Sequence, residues 1–370
     1  MKAARVLVVN AGSSSLKLSL LDGRDQLVHE HKVEEKGGRL DAEALRSALT
    51  EAGRVDAVGH RVVHGGPRFS GPVRLDAAVF KELQELTSLA PLHQPPALAG
   101  IAAVKAALPA VPSVACFDTA FHHRLPPAAA TYAIPDQWRD RFAIRRYGFH
   151  GLSHAYASRR AAEMLDRPSR GFRVVTCHLG AGASLAAVRG GRSVDTTMGF
   201  TPLEGLVMAT RSGSVDPGLL IWLQRNAGFD AAALEESLER RSGLLGLAGT
   251  ADMREILARA ARRDVGARLA IEVYLHRLRA GIASMAAALG GLDALVFTGG
   301  VGENAPSVRL QAARGLDFLG VRLDPRSNRS GGPDREVGAR GAPVRTLVVH
   351  AREDLEIARQ VRRLLAGSEG

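Results

Sequence analysis

The chain opens with a β-branched run, Val6-Leu7-Val8-Val9. Small residues from Ala11 to Ser15 interrupt it, and apolar Leu16, Leu18 and Leu20 then alternate with Lys17 and Ser19. The same pattern returns far downstream. Val174-Val175-Thr176-Cys177-His178 breaks at Leu179-Gly180-Ala181-Gly182 and resumes at Leu185 and Ala187. Neither stretch has a helical period, so each predicts strand, tight turn, strand. Glycine in such turns lets backbone N–H groups come close to an anion. Two matched turns about half the chain apart suggest two matched domains around one polyphosphate.

Between and beyond these turns the pattern alternates. Helices are predicted over Asp41–Ala52, Asp76–Leu89, Ala97–Ala107, Gly151–Leu165 with Ser153 as its cap, Ala232–Ser242, Asp252–Arg263, Val265–Leu289 and Glu353–Leu365. Strands are predicted over Val55–Val63, Ser113–Phe117, Leu292–Phe297 and Val344–Val349. Asp22–Gly38 reads as a polar stretch, residues 119–151 as irregular, and Ser193–Gly218 fits neither period. Mixed elements, a repeated β-turn-β opening and no short repeat predict a two-lobed α/β protein.

Composition sharpens this picture. The 370 residues are 46% hydrophobic and 24% charged with mean hydropathy −0.02, which excludes a disordered chain. The net charge of +11 comes from arginine, since only six lysines occur. The arginines are spread along the chain without a basic tail or interleaved aromatics. That favours anionic small substrates over nucleic acid. Cys116 and Cys177 end β-like runs and read as core residues of a reducing compartment, hence a cytoplasmic protein. No run suits a signal peptide or a membrane span.

Candidate chemistry sits in the loops. The strand at Leu292–Phe297 leads into Thr298-Gly299-Gly300-Val301-Gly302-Glu303-Asn304, which has neither dinucleotide-fold nor P-loop spacing but stands where a nucleotide often binds. Long ordered loops such as Ser193–Gly218, containing Asp195, Pro202, Glu204, Arg211 and Asp216, tend to be functional. Together with Arg145-Arg146-Tyr147-Gly148-Phe149-His150-Gly151, this loop resembles the acetate kinases of the sugar-kinase/Hsp70/actin superfamily. The resemblance runs from about Val6 to Ala358.

The resemblance implies a duplicated ribonuclease-H-like fold. Residues 1–118 with 355–370 would form the first lobe, and 119–354 the second, nucleotide-binding and dimerising lobe, with Val265–Leu289 either a candidate dimer surface or, through its apolar face, core. It implies reversible phosphoryl transfer from ATP to acetate, dependent on magnesium or manganese, in a homodimer with no nucleic-acid or membrane partner. Catalytic roles fall on Arg61, Asp118, His150 and Arg211. Arg61 would also contact acetate, beside an acyl pocket of Val63, Leu92, Phe149 and Pro202. Asn10 and Glu353 match metal positions, and Asp118 would orient the metal shell or the carboxylate. Lys17, with Ser13 and Ser15, would reach phosphate from the first turn. His178, Leu179, Gly180, Ala181 and Gly182 would do so from the second. Asp252, Met253, Arg254, Gly300, Val301, Gly302, Glu303 and Asn304 match the adenosine site. By pattern alone Asp252 reads equally as a helix N-cap, and Glu353 could be a carboxylate favoured by its helix dipole.

Some positions depart from the family pattern. Ala181 replaces an asparagine, Gln94 an asparagine, Leu152 a threonine and Ser214 an aspartate, and Gly23–Asp56 is shorter than usual. None removes a charged catalytic residue. They leave open a propionate or other short-chain acyl kinase, a pyrophosphate user, and a nucleotide-binding relative without catalysis.

Overall fold

The computed structural model describes residues 4–11, 15–36, 39–168 and 170–367. Contacts group these into two units. The first draws on the chain up to His123, on Phe149–Tyr156 and on the chain from Arg352; the second holds Arg124–Gly148 and Ala157–Ala351.

In the first unit the opening alternation forms an antiparallel pair, β1 (Val6–Ala11) and β2 (Ser15–Leu21), with Asn10 opposite Lys17. The turn residues Gly12, Ser13 and Ser14 lie outside the described residues. Next come β3 (Leu27–Lys36), β4 (Arg39–Leu40), β5 (Ala57–Val62), β6 (Val73–Arg74) and β7 (Ser113–Phe117). The sheet order is β4-β3-β2-β1-β5-β7-β6, with β1, β5 and β7 parallel. One face buries Leu7, Leu16, Leu18 and Val33 with Leu45 and Val104 from helices Ala42–Ala52 and Gln94–Ala107. The other buries Val6, Val8 and Cys116 with Ile357 and Val361 of helix Glu353–Gly367.

The second unit repeats the plan. Its strands are β8 (Arg173–Leu179), β9 (Ala183–Arg189), β10 (Arg192–Thr196), β11 (Ala294–Thr298), β12 (Arg335–Glu336) and β13 (Arg345–Val348), in the order β10-β9-β8-β11-β13-β12. Again the opening hairpin is antiparallel, and β8, β11 and β13 are parallel. Three antiparallel strands followed by two parallel ones, occurring twice, is the duplicated ribonuclease-H-like arrangement. Helix Val265–Leu289 packs on β8, β9 and β10; its apolar face, including Ile271, Tyr274, Leu278 and Ile282, is core, while Val265 and Leu269 are exposed.

Several elements differ from the sequence expectation. The polar stretch Asp22–Gly38 contains strand β3, whose core-facing positions include His29 and His31 rather than aliphatic residues. Ser193–Gly218 is not all loop, because β10 enters it. A further helix, Pro217–Ala227, has an Asp216 cap and Gly228 at its end but buries no residue fully, so it shows no amphipathic period. Ser153 is not a cap: its helix begins at Gly151, and Ser153 is buried in the first turn. Gly300–Asn304 is the continuation of a short helix, Gly299–Asn304, rather than a loop ahead of one. Both cysteines are buried and unpaired, and burial pushes their thiols upward.

Candidate active site

In the first unit the charged candidates meet at the ends of adjacent parallel strands. Pairing of Val9 with His60 and of Val62 with Phe117 sets Asn10, Arg61 and Asp118 side by side. Arg61 donates to both Asp118 oxygens, Nη2 to Oδ2 at 2.7 Å and Nε to Oδ1 at 3.3 Å, and Nη1 donates to Asn10 Oδ1 at 3.2 Å. Glu353 Oε2 lies 3.7 Å from Arg61 Nε. Asp118 is buried, whereas Arg61 and Glu353 keep 20% and 16% of their side chains exposed, enough to meet a ligand. Burial disfavours the Arg61 charge, but Asp118 and Glu353 outweigh it and raise its proton affinity. Burial, opposed by Arg61 and reinforced by Glu353, shifts the Asp118 carboxyl upward. Two carboxylates and one guanidinium leave one negative charge in this group. The oxygen donors of Asn10, Asp118 and Glu353, with that charge uncompensated, fit a hard divalent cation.

The backbone fixes this cluster. Asp118 N donates to Val62 O at 3.1 Å, and Asp118 O accepts from Gly151 N at 2.9 Å. A Cβ on Gly151 would lie 2.0 Å from Asp118 O, so only glycine permits the approach. His150, just before it, has φ 53°, a left-handed conformation uncommon for a side-chain-bearing residue. Phe149 is buried edge-on to His64, with ring centroids 5.5 Å apart, and its carbonyl meets His122 Nε2 at 3.1 Å. His64 Nδ1 accepts from Gly66 N at 2.8 Å, so that nitrogen carries no proton. Burial lowers His64 and His122 to about 4 and His60 to about 3. Val63 and Leu92 are half-buried. Gln94, fully buried, donates Nε2 to Leu83 O at 3.2 Å and His64 O at 3.4 Å, so it braces the loop through His64. Lys17 pairs with Glu30 at 2.8 Å, with both side chains about half exposed.

The second unit offers mainly backbone. Its turn closes with Gly180 N donating to Gly182 O at 2.9 Å, and Ala181, exposed, accepts from Ala209 N at 3.1 Å. Beside His178 and Leu179, at the end of β11, Gly299 has φ 78°, and a Cβ there would lie 2.9 Å from Leu179 O. Glu303 Oε1 accepts from Gly299 N and from Ala351 N, each at 3.0 Å, while Oε2 meets His350 Nδ1 at 2.5 Å. Glu303 therefore holds the start of the glycine helix. Asn304 Nδ2 donates to Gly300 O at 2.9 Å, and Val301 is half-buried. Asp252 caps helix Met253–Ala261 and pairs with Arg254 at 2.7 Å, which lowers it to about 2; Met253 is buried.

Arg211 is paired through Nε with Glu239 Oε2 at 2.8 Å, both sides mostly buried, and Nη1 reaches the carbonyl of buried Pro202 at 3.5 Å. Thr210 and Ser212 also hydrogen-bond to helix Ala231–Arg240, to Glu239 O at 2.8 Å and Leu238 O at 3.0 Å. This anchors the long loop. Its other end is held by Glu204, which accepts from Arg146 at 2.8 Å and from the Tyr132 hydroxyl. Sequence reasoning missed Glu239, Tyr132 and buried Arg309. Arg309 donates to Gly302 O and Glu303 O, each at 2.8 Å, and so caps the glycine helix. Its signal was only one arginine among many.

Residues 5–359 match the acetokinase family. The acetate kinase of Leifsonia xyli subsp. xyli is 48% identical, covering 98% of this chain and 99% of its own. Among solved structures, Porphyromonas gingivalis acetate kinase superposes with a TM-score of 0.91 at 36% identity, over 98% of this chain and 100% of that one. A propionate kinase from Francisella tularensis subsp. tularensis also gives 0.91, at 37% identity over 97% and 99% of the two chains.

Proposed function

The chain belongs to the acetokinase family, and on that premise we propose that it transfers the γ-phosphoryl group of ATP reversibly to acetate, giving acetyl phosphate and ADP. The observation that carries the reading is the Arg61 fork, fixed by Asp118 and Asn10 with Glu353 beside it. Acetate is ionised at neutral pH, so its oxygen attacks the γ-phosphorus without a general base. The new C–O–P linkage forms as the bond from phosphorus to the β,γ-bridging oxygen breaks and ADP leaves. The obstacle is an anion approaching a polyanion, and fixed positive charge lowers it.

In this reading Arg61 binds the acetate carboxylate and the transferring group, Arg211 and His150 steady the phosphoryl oxygens, and Asp118 is a positioning residue. Both Asp118 oxygens are already engaged by Arg61, which argues against base catalysis. Asn10 and Glu353 would hold magnesium or manganese, with Asp118 orienting the metal's surroundings through Arg61. When bound, such an ion neutralises phosphate charge. The turn His178–Gly182 and Lys17 would meet phosphates, and Asp252, Met253, Arg254 and Gly300–Asn304 the adenosine. Val63, Leu92, Phe149 and Pro202 would form a small acyl pocket. One methylene changes discrimination by only ~1–3 kcal/mol, so propionate should be accepted less well rather than excluded.

A homodimer in the cytoplasm completes the reading. Exposed Leu219, Ile221, Trp222, Val265 and Leu269 of the second unit support an apolar interface, and buried unpaired thiols suit a reducing compartment. Among the described residues no helix is long and apolar enough to cross a membrane. The test is hydroxamate trapping of acyl phosphate from Mg-ATP with acetate, propionate or butyrate, beside a Mg-pyrophosphate arm. Greatest turnover with ATP and acetate is expected. No product from any pair, in protein that binds ADP, would overturn the reading in favour of a non-catalytic relative.

A further inference from the structure

Strand β3 carries an unusual inward face. His29 and His31, two residues apart, point to one side of the sheet, as Val33 does, opposite Leu20 and Leu18 of β2. On that side the sheet meets helix Ala42–Ala52, whose last turn carries Glu51. A ligand atom from each of His29, His31 and Glu51 lies within 4.8 Å of the other two. The imidazole rings stack with centroids 6.3 Å apart and planes 7° from parallel. His29 Nε2 is buried without a hydrogen-bond partner, whereas buried imidazole nitrogens normally have one.

We propose that His29, His31 and Glu51 form a site for a borderline divalent transition-metal ion, zinc in the first instance. Two imidazoles and one carboxylate are a donor set that suits zinc, nickel or copper and leaves a position for water. Magnesium prefers oxygen donors and retains its waters, so it is not the natural occupant. Bound metal would satisfy His29 Nε2 and tie the third strand to the first helix. The site shares no residue with the Asn10, Arg61, Asp118 and Glu353 group, so its role is to fasten the first unit rather than to act on acetate.

The test titrates the full chain with zinc by calorimetry, and with cobalt for its visible absorption, in excess magnesium so that hard-oxygen sites are filled. One equivalent of zinc is expected, with affinity falling at least ~10-fold in His31→Gln and in Glu51→Gln. Saturating zinc should raise the apparent Tm of the wild type and not of the variants. Circular dichroism and acyl phosphate formation in metal-free magnesium buffer should match wild type in both variants. Glu51→Gln, at an exposed helix position, keeps the test decisive if His31→Gln folds poorly. Absence of zinc binding at about 100 µM, or binding unchanged in both variants, would overturn the proposal and leave the two rings as a packing pair.

Discussion

The two units share one strand plan and equip it oppositely. At the ends of β1, β5 and β7 stand Asn10, Arg61 and Asp118, joined side chain to side chain. At the corresponding ends of β8 and β11 stand the Gly180–Gly182 turn and Gly299, whose added Cβ would lie 2.9 Å from Leu179 O. Ligands of α/β sheets gather at the carboxyl ends of parallel strands, and duplication supplies two such places. The difference teaches how one scaffold could serve the two tasks proposed above, by exchanging charge for glycine. Charged forks can grip and polarise a small carboxylate, whereas glycine turns let the backbone come close to a polyphosphate.

Removing charge from the first unit should be the largest insult. Arg61→Ala leaves Asp118 buried beside Glu353 without its partner. We expect kcat to fall roughly 10³-fold and unfolding free energy to drop by about 3–5 kcal/mol, read by hydroxamate assay and urea denaturation. Wild-type stability would show that the pair does not organise this unit. In the second unit, Arg211 is the charged group proposed to act on the phosphoryl oxygens. Arg211→Ala should lower kcat by roughly 10²–10³ with the fold intact by circular dichroism, and near-normal turnover would remove it from the chemistry.

Acid should also single out the first unit. His60, His64 and His122 are neutral when folded, held at about 3, 4 and 4 by burial. The unfolded chain takes up their protons first as pH falls below about 6.5. Stability is therefore full above that value and declines towards pH 4, by about 1.4 kcal/mol per pH unit for each histidine. Denaturation curves at pH 7.5, 6 and 5 would check this; a flat profile would contradict buried neutral rings.

In the second unit the damaging change is an addition. Gly299→Ala puts a methyl against Leu179 O at a left-handed φ, which should cost about 1–2 kcal/mol and raise the KM for ATP more than that for acetate. Equal effects on both KM values would break the proposed division of labour. The smallest expected effect is a gain. Ala181→Asn restores a side-chain amide in the exposed turn and should improve the KM for ATP by ~1 kcal/mol at most; no change would mean that the backbone alone suffices.

Much of this was legible in the residues. The repeated β-turn-β opening announced the duplicated sheets because a period of two with a glycine break is a local signal. Ser113–Phe117 and Val265–Leu289 likewise emerged with the boundaries their patterns implied. Strand β3 was hidden because histidines occupy its inward face. Helix Pro217–Ala227 was hidden because a helix without a buried stripe has no period to read, even though its Asp-Pro start and glycine end were present. In the site, the family resemblance pointed to Arg61 and Asp118, but their mutual grip depends on strand register, which no local pattern encodes. Glu239 and Glu204 are further cases, since what distinguishes them from other carboxylates is the partners each meets, Arg211 for Glu239 and Arg146 with Tyr132 for Glu204.

Helix Glu353–Gly367 covers the face of β1 and β5 so closely that a Cβ on Gly59 would lie 2.5 Å from Ile357. In the order of synthesis this helix follows the entire second unit. A ribosome therefore releases the first sheet with one side uncovered and must build the whole second unit before the covering arrives. The same helix begins with Glu353, so the acidic partner of Arg61 also arrives late. Until the chain from Arg352 has been made, Val6, Val8 and Cys116 of the first unit lack the Ile357 and Val361 that cover them.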